Sequence, residues 1–226
     1  MLKAVIFDFD GIIVDSEPLH YRAFQRVLEP VGAGFSWDDY IKTYMGFDDR
    51  DAFREAFCRA GLALDDARLH ELIGAKAELF QHVAAEGVTS YPGVCELIRA
   101  ISGNLPLAIC SGALRSDIEP ILATLGLTGC FDSMVTADDV PHSKPDPASY
   151  LEAVKRLQLI FPKGMITPEL AVAIEDTPAG ISSAKGAGLK VVAVTNSYPA
   201  SMLTSADAVV TTLAELGIDD LCSLIQ

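Results

Sequence analysis

A long helical insertion separates the first strand-like run from the next, and this interruption limits what the chain can fold into. Lys3–Asp8 reads KAVIFD, a β-branched and aromatic run closed by a carboxylate. From about Ser16 to Val88 the pattern is then helical throughout. Phe53, Phe57 and Ala60 form one apolar stripe; Leu69, Leu72, Ile73, Phe80 and Val83 form another. Beyond Val88, short apolar runs return at Leu105–Cys110, Ser133–Thr136, Leu170–Ile174, Lys190–Thr195 and Ala208–Val210. Continuous Val-, Ile- and Ala-rich runs suit strands buried on both faces. Helical patterns alternate with them: a face at Ile118, Ile121, Leu122 and Leu125 stopped by Gly126, then Ser149–Leu159 and Pro178–Gly188. Strand–helix alternation predicts an α/β chain, a parallel sheet covered on both faces. The insertion predicts a separate helical domain over 16–88, with the sheet domain built from 1–15 and 89–226. Its linkers fall near Val14–Pro18 and Gly87–Pro92.

Composition narrows the partners. Of 226 residues, 31 are acidic and 17 basic, a formal charge of −14. Such a body repels a polyanion, so no nucleic-acid coat is expected, and an anionic membrane surface is equally disfavoured. No uncharged apolar run approaches the ~20 residues of a spanning helix. Cys58, Cys95, Cys110, Cys130 and Cys222 are odd in number and lack CxxC spacing, which predicts free buried thiols in a reducing compartment. A cytoplasmic protein, monomeric or weakly dimeric, is expected.

In an open α/β sheet, ligands bind beyond the carboxyl ends of the strands. Asp8, Asp10 and Gly11 follow the first run, and Ser111 and Gly112 the second. Asp138–Asp139 and then Lys144 follow the third, and Glu175 and Asp176 the fourth. Each element alone has a bland reading: an Asx turn, a helix cap, a solvated lysine. Converging at four strand ends, they describe a site. Neighbouring carboxylates tend to divide into an ionised partner and an acid–base partner. Hard oxygen donors suit Mg²⁺. Lys144 adds a fixed positive charge, Ser111 a hydroxyl, and Gly112 lets backbone approach a ligand. Together these residues predict a phosphoryl-transfer site with an aspartyl nucleophile.

The motif set resembles the haloacid dehalogenase superfamily, in its β-phosphoglucomutase-like phosphatase branch. DFDGIIVDSEPLH at Asp8–His20, CSGALR at Cys110–Arg115, SKPDP at Ser143–Pro147 and IEDTPAGISSAKGAG at Ile174–Gly188 carry the resemblance. Gly112 departs from it, standing where many relatives have Asn. The resemblance implies a Rossmann-like core with an inserted α-helical cap. It implies that Asp8 attacks phosphorus and that Asp10 serves as acid and then base. Mg²⁺ would be held by the Asp8 carboxylate, the Asp10 carbonyl and Asp176, with Glu175 as a direct or outer ligand. Ser111, the Gly112 amide and Lys144 would hold the phosphoryl oxygens.

In the cap, Lys76 falls on an apolar stripe, either as a snorkelling lysine or as one reaching for substrate. Arg50 stands where similar proteins contact substrate, or belongs to a surface ion pair. His20 either bonds Asp10 or substrate, or simply packs. The expected activity is Mg²⁺-dependent hydrolysis of a small phosphorylated metabolite, such as a sugar phosphate. A phosphomutase of the β-phosphoglucomutase type and a non-catalytic phospho-ligand-binding protein are the alternatives.

Overall fold

Strands form where consecutive apolar residues are buried on both faces. In the computed structural model, which describes residues 1–45, 47 and 49–225, six short runs pair. They are β1 (Ala4–Phe7), β2 (Leu107–Cys110), β3 (Ser133–Val135), β4 (Ala171–Glu175), β5 (Lys190–Val194) and β6 (Ala208–Val210). All pairings are parallel, in the order β3-β2-β1-β4-β5-β6. Every residue of β1, β2 and β4 is buried, which is why these strands read as unbroken apolar runs. The order reverses between β1 and β4, and that switch point is where an open parallel sheet leaves a crevice beyond its strand ends.

The period of two sorts the strand residues. Ala4, Ile6, Ala108, Cys110, Ala171, Ala173, Val191 and Ala193 share one core cluster with Tyr150, Val154, Leu157, Ile181 and Ala184. Those partners lie on helices Ala148–Ile160 and Pro178–Gly186. Small alanines on this face let both helices lie close to the sheet.

The chain divides into two compact units, 1–15 with 89–226, and 16–88. The second is built on helices Glu17–Leu28, Asp49–Arg59 and Asp66–Ala85. Its core gathers Phe24, Leu28, Tyr40, Tyr44, Phe53, Phe57, Leu69 and Leu72. Two details differ from the sequence pattern. The helical run is broken by loops, one between Leu62 and Asp65 among them, and Ala60 is exposed because helix Asp49–Arg59 ends one residue before it. In the sheet unit, the segments on either side of the insertion run antiparallel, with Tyr91 N–H donating to Ile13 O and Asp15 N–H to Thr89 O, both at 3.2 Å.

All five cysteines are free, but only Cys110 is buried. Cys58 is exposed because it lies on the outer side of its helix, and the other three are half-buried. Among the described residues no helix is long and apolar enough to cross a membrane.

Candidate active site

Asp8 is the first residue beyond β1 and Glu175 the last of β4, so the switch point sets them side by side. By alternation both continue the face that carries Ile6 and Ala173. Lys144, from the loop after β3, completes the group. Its Nζ lies 2.9 Å from Asp8 Oδ1 and 2.7 Å from Glu175 Oε1. It also donates to the Cys110 carbonyl at 3.0 Å and stands 5.2 Å from the Tyr150 ring centre.

Glu175 is fully occupied. Its Oε1 accepts from Lys144 and, at 2.8 Å, from the Tyr150 hydroxyl. Its Oε2 accepts from the Asp176 amide at 3.1 Å and more weakly from the amide and hydroxyl of Thr177. Thr177 caps helix Pro178–Gly186 through Gly180 N–H at 3.0 Å. Gly180 is obligatory here, because a Cβ would fall inside the Glu175 carboxylate.

Asp8 accepts from Lys144 and from the Phe9 amide (2.7 Å), both through Oδ1. Oδ2 takes part in neither of these contacts. Asp176 is buried; Oδ2 accepts from the Ser197 hydroxyl, and among the described residues Oδ1 has no hydrogen-bond partner. Asp10 is half-buried at the turn made by Gly11, whose φ is +78°. Ser111 is buried, and its Oγ accepts from Ala113 N–H at 2.9 Å. A hydroxyl used as acceptor still has its proton to donate. Gly112 has open space where a Cβ would stand, so the position admits a side chain.

The electrostatics follow from three buried carboxylates facing one ammonium. Burial pushes the Asp8 carboxyl well above the usual range, Glu175 adds to the shift, and Lys144 offsets it only in part. Asp176 is pushed up to about 7, by burial first and then by Glu175, with Asp10 contributing. Burial works to lower the Lys144 pKa, but Asp8 and Glu175 reverse that and hold it well above normal. The cluster is short of positive charge.

A divalent cation would meet that shortage. Ligand atoms of Asp8, Glu175 and Asp176 lie within 4.8 Å of one another. Among the described residues the buried Asp176 Oδ1 has no hydrogen-bond partner and is a candidate ligand atom. An all-oxygen donor set suits a hard cation such as Mg²⁺. The residues therefore fit a metal, with Asp8 and Asp176 better placed than the saturated Glu175 to hold it directly.

The residues singled out in the helical unit arrange themselves differently. Lys76 is 2 % exposed, its head as well as its stem, so it does not snorkel. The ammonium pairs with Asp49 Oδ1 at 2.8 Å and meets His20 Nδ1 at 2.9 Å. It also lies 5.0 Å from the Phe24 ring and 5.2 Å from that of Phe80, and His20 stacks on Phe80. An ammonium so caged by rings and a carboxylate needs no water. Arg50 is exposed.

Three residues escaped the sequence reading: Tyr150, Asn196 and Ser197. The strand-end rule, extended to β5, reaches Thr195–Asn196–Ser197. Nothing in the spacing marks Tyr150, which meets Glu175 only through the packing of its helix on the sheet.

A family model described as haloacid dehalogenase-like hydrolase matches residues 5–194. Protein CbbY of Rhodobacter capsulatus is 33% identical over 207 residues, covering 87% of each chain. A phosphorylated carbohydrates phosphatase of Thermotoga maritima is 32% identical over 196 residues, covering 84% of this chain and 83% of its own. The crystal structure of a CbbY mutant from Rhodobacter sphaeroides in complex with xylulose-(1,5)bisphosphate superimposes with a TM-score of 0.84 at 26% identity, over 98% of this chain and 99% of that one.

Proposed function

From the premise that this chain belongs to the haloacid dehalogenase-like hydrolase family and is a phosphatase of it, we propose that it hydrolyses a small sugar-phosphate-class ester through an aspartyl phosphate on Asp8. In this reading the Asp8 Oδ2 attacks phosphorus and the bond to the leaving oxygen breaks. Asp10 gives that oxygen its proton. Water then attacks the aspartyl phosphate, Asp10 takes the water proton, and inorganic phosphate leaves. Lys144, the Ser111 hydroxyl and the Gly112 amide hold the phosphoryl oxygens. Phosphoryl transfer needs mainly positioning and charge neutralisation, and a fixed set of donors supplies both.

Asp8, the Asp10 carbonyl and Asp176 would hold Mg²⁺, which neutralises phosphoryl charge when bound. Glu175 serves here as the anion that fixes Lys144, since every donor around it is already in use. The sheet unit is then the catalytic core and 16–88 its cap. Within the cap, exposed Arg50 is assigned to the leaving group, while Lys76 and His20 act as a pair. Relatives named for phosphorylated carbohydrates and for fructose 1-phosphate support the substrate class.

The observation that carries the reading is the buried Asp8–Lys144–Glu175–Asp176 cluster with its uncompensated Asp176 oxygen. The test is turnover of p-nitrophenyl phosphate and of a sugar-phosphate panel, with Mg²⁺ and with EDTA. Phosphate release that needs Mg²⁺ and vanishes in Asp8→Asn is expected. No turnover with Mg²⁺, or full activity in Asp8→Asn, refutes it. An isomeric sugar phosphate appearing in place of phosphate would favour a mutase.

A further inference from the structure

The loop after β5 grips both halves of the site at once. Asn196 Nδ2 donates to the Gly11 carbonyl at 2.7 Å, and the neighbouring Ser197 hydroxyl donates to Asp176 Oδ2. Gly11 sits so close to Asp176 Oδ2 and Ser197 Oγ that a Cβ there has no room. The turn after β1, the acid after β4 and the loop after β5 thus meet in one tight contact.

That contact treats the two Asp176 oxygens unequally. Oδ2 has a donor, while the buried Oδ1 has none among the described residues. Leaving a buried acceptor unpaired costs roughly 1–3 kcal/mol, more when it is charged. A carboxylate turns readily about its terminal torsion, so a free Asp176 could relieve that cost by rotating. The Ser197 bond opposes the rotation.

We propose that Ser197 is a positioning residue for the divalent cation. It pins Asp176 through Oδ2 so that Oδ1 is presented as a metal ligand, while Asn196 keeps the Gly11 turn in step. The inference rests on the reading that Asp8 and Asp176 hold the cation. Partners that orient a metal ligand typically change metal affinity by about 10–100-fold when removed.

Mn²⁺ is the probe, titrated into the full chain and followed by the loss of its free-ion paramagnetic resonance signal. Ser197→Ala should raise the Mn²⁺ Kd by about 10-fold or more. With saturating Mg²⁺, its KM for a phosphate ester should stay near wild type. Ser197→Cys keeps the volume with a weaker donor and should also lose affinity. In an Asp176→Ala background, Ser197→Ala should change nothing further, because the route through which it acts is gone. Thermal unfolding in EDTA reports whether the variants fold.

An unchanged Kd in Ser197→Ala, wild-type binding in Ser197→Cys, or a full additional loss in the Asp176→Ala background would overturn the assignment. Absence of Mn²⁺ binding by the wild-type chain would instead overturn the metal reading beneath it.

Discussion

Replacing Lys144 by Met tests whether one ammonium holds three buried carboxylates together. Lys144 lies 2.9 Å from Asp8 and 2.7 Å from Glu175, and Glu175 has no solvent exposure. At an effective dielectric constant of about 20 each pair carries about 6 kcal/mol of gross attraction. Desolvation of the ammonium cancels much of this in the native chain. Removing the ammonium alone leaves uncompensated buried charge, which typically costs about 3–5 kcal/mol. Met keeps most of the stem volume, so packing adds little.

The measurement is urea unfolding in EDTA, for wild type, Lys144→Met and a surface control. Lys155, whose side chain is 66% exposed in its pair with Glu152, provides the control, and Lys155→Met should cost at most about 1 kcal/mol. The loss should also depend on pH. Burial already makes Asp8 and Asp176 bind protons more tightly in the folded chain than in the unfolded one, and losing Lys144, which lowers both, raises them further. Stability is then retained below the unfolded carboxylate pKa of about 4 and lost as pH rises. Lys144→Met should therefore be most damaging near neutral pH and least damaging in acid. A loss below about 1 kcal/mol at neutral pH, or one independent of pH, would refute the account of the cluster.

Tyr150→Phe removes one charge-assisted bond from Glu175 and leaves the ring; it should cost about 1–3 kcal/mol in the same urea experiment, and an unchanged midpoint would show that the tyrosine hydroxyl does not help to fix Glu175. Gly11→Ala combines a φ of +78° with a Cβ driven into the Asp176 carboxylate; phosphatase activity should vanish, and an active variant would contradict the close approach. Asp139 sits outside the site, where burial alone would raise its pKa, but its bonds to Arg156 and Thr136 overcome this and hold it at about 2. A depressed folded pKa stabilises above the unfolded value and is lost as pH falls through about 2. Asp139→Asn should therefore cost about 2 kcal/mol at neutral pH and flatten the acid limb of stability below about pH 4, as read by thermal melts across that range.

The sheet was readable because its strands are buried on both faces, so β1, β2 and β4 had to be continuous apolar runs. The acids of the candidate site were readable because a polar residue at the end of such a run lies at the crevice. Asp8, Ser111, Glu175 and Asp176 stand at strand ends, whereas Lys144 meets Asp8 and Glu175 from the loop after β3. Lys76 was half readable: its place on an apolar stripe showed that the stem is buried. Burial of the ammonium as well depends on Asp49, 27 residues away, and on the rings of Phe24 and Phe80.

What the amino-acid sequence determined by itself was therefore the six strands, the helices between β2 and β5 and the identity of the acids at the strand ends, since periodicity and strand-end chemistry are local. Which oxygen of each acid is occupied, and which is left for a ligand, was decided only by tertiary structure. Tyr150 reaches Glu175 across 25 residues, Ser197 reaches Asp176 across 21, and Asn196 reaches Gly11 across 185. Hydrogen-bond direction depends on the placement of atoms to within a few tenths of an ångström. No local pattern encodes that placement, because it exists only once β1, β4 and β5 lie side by side.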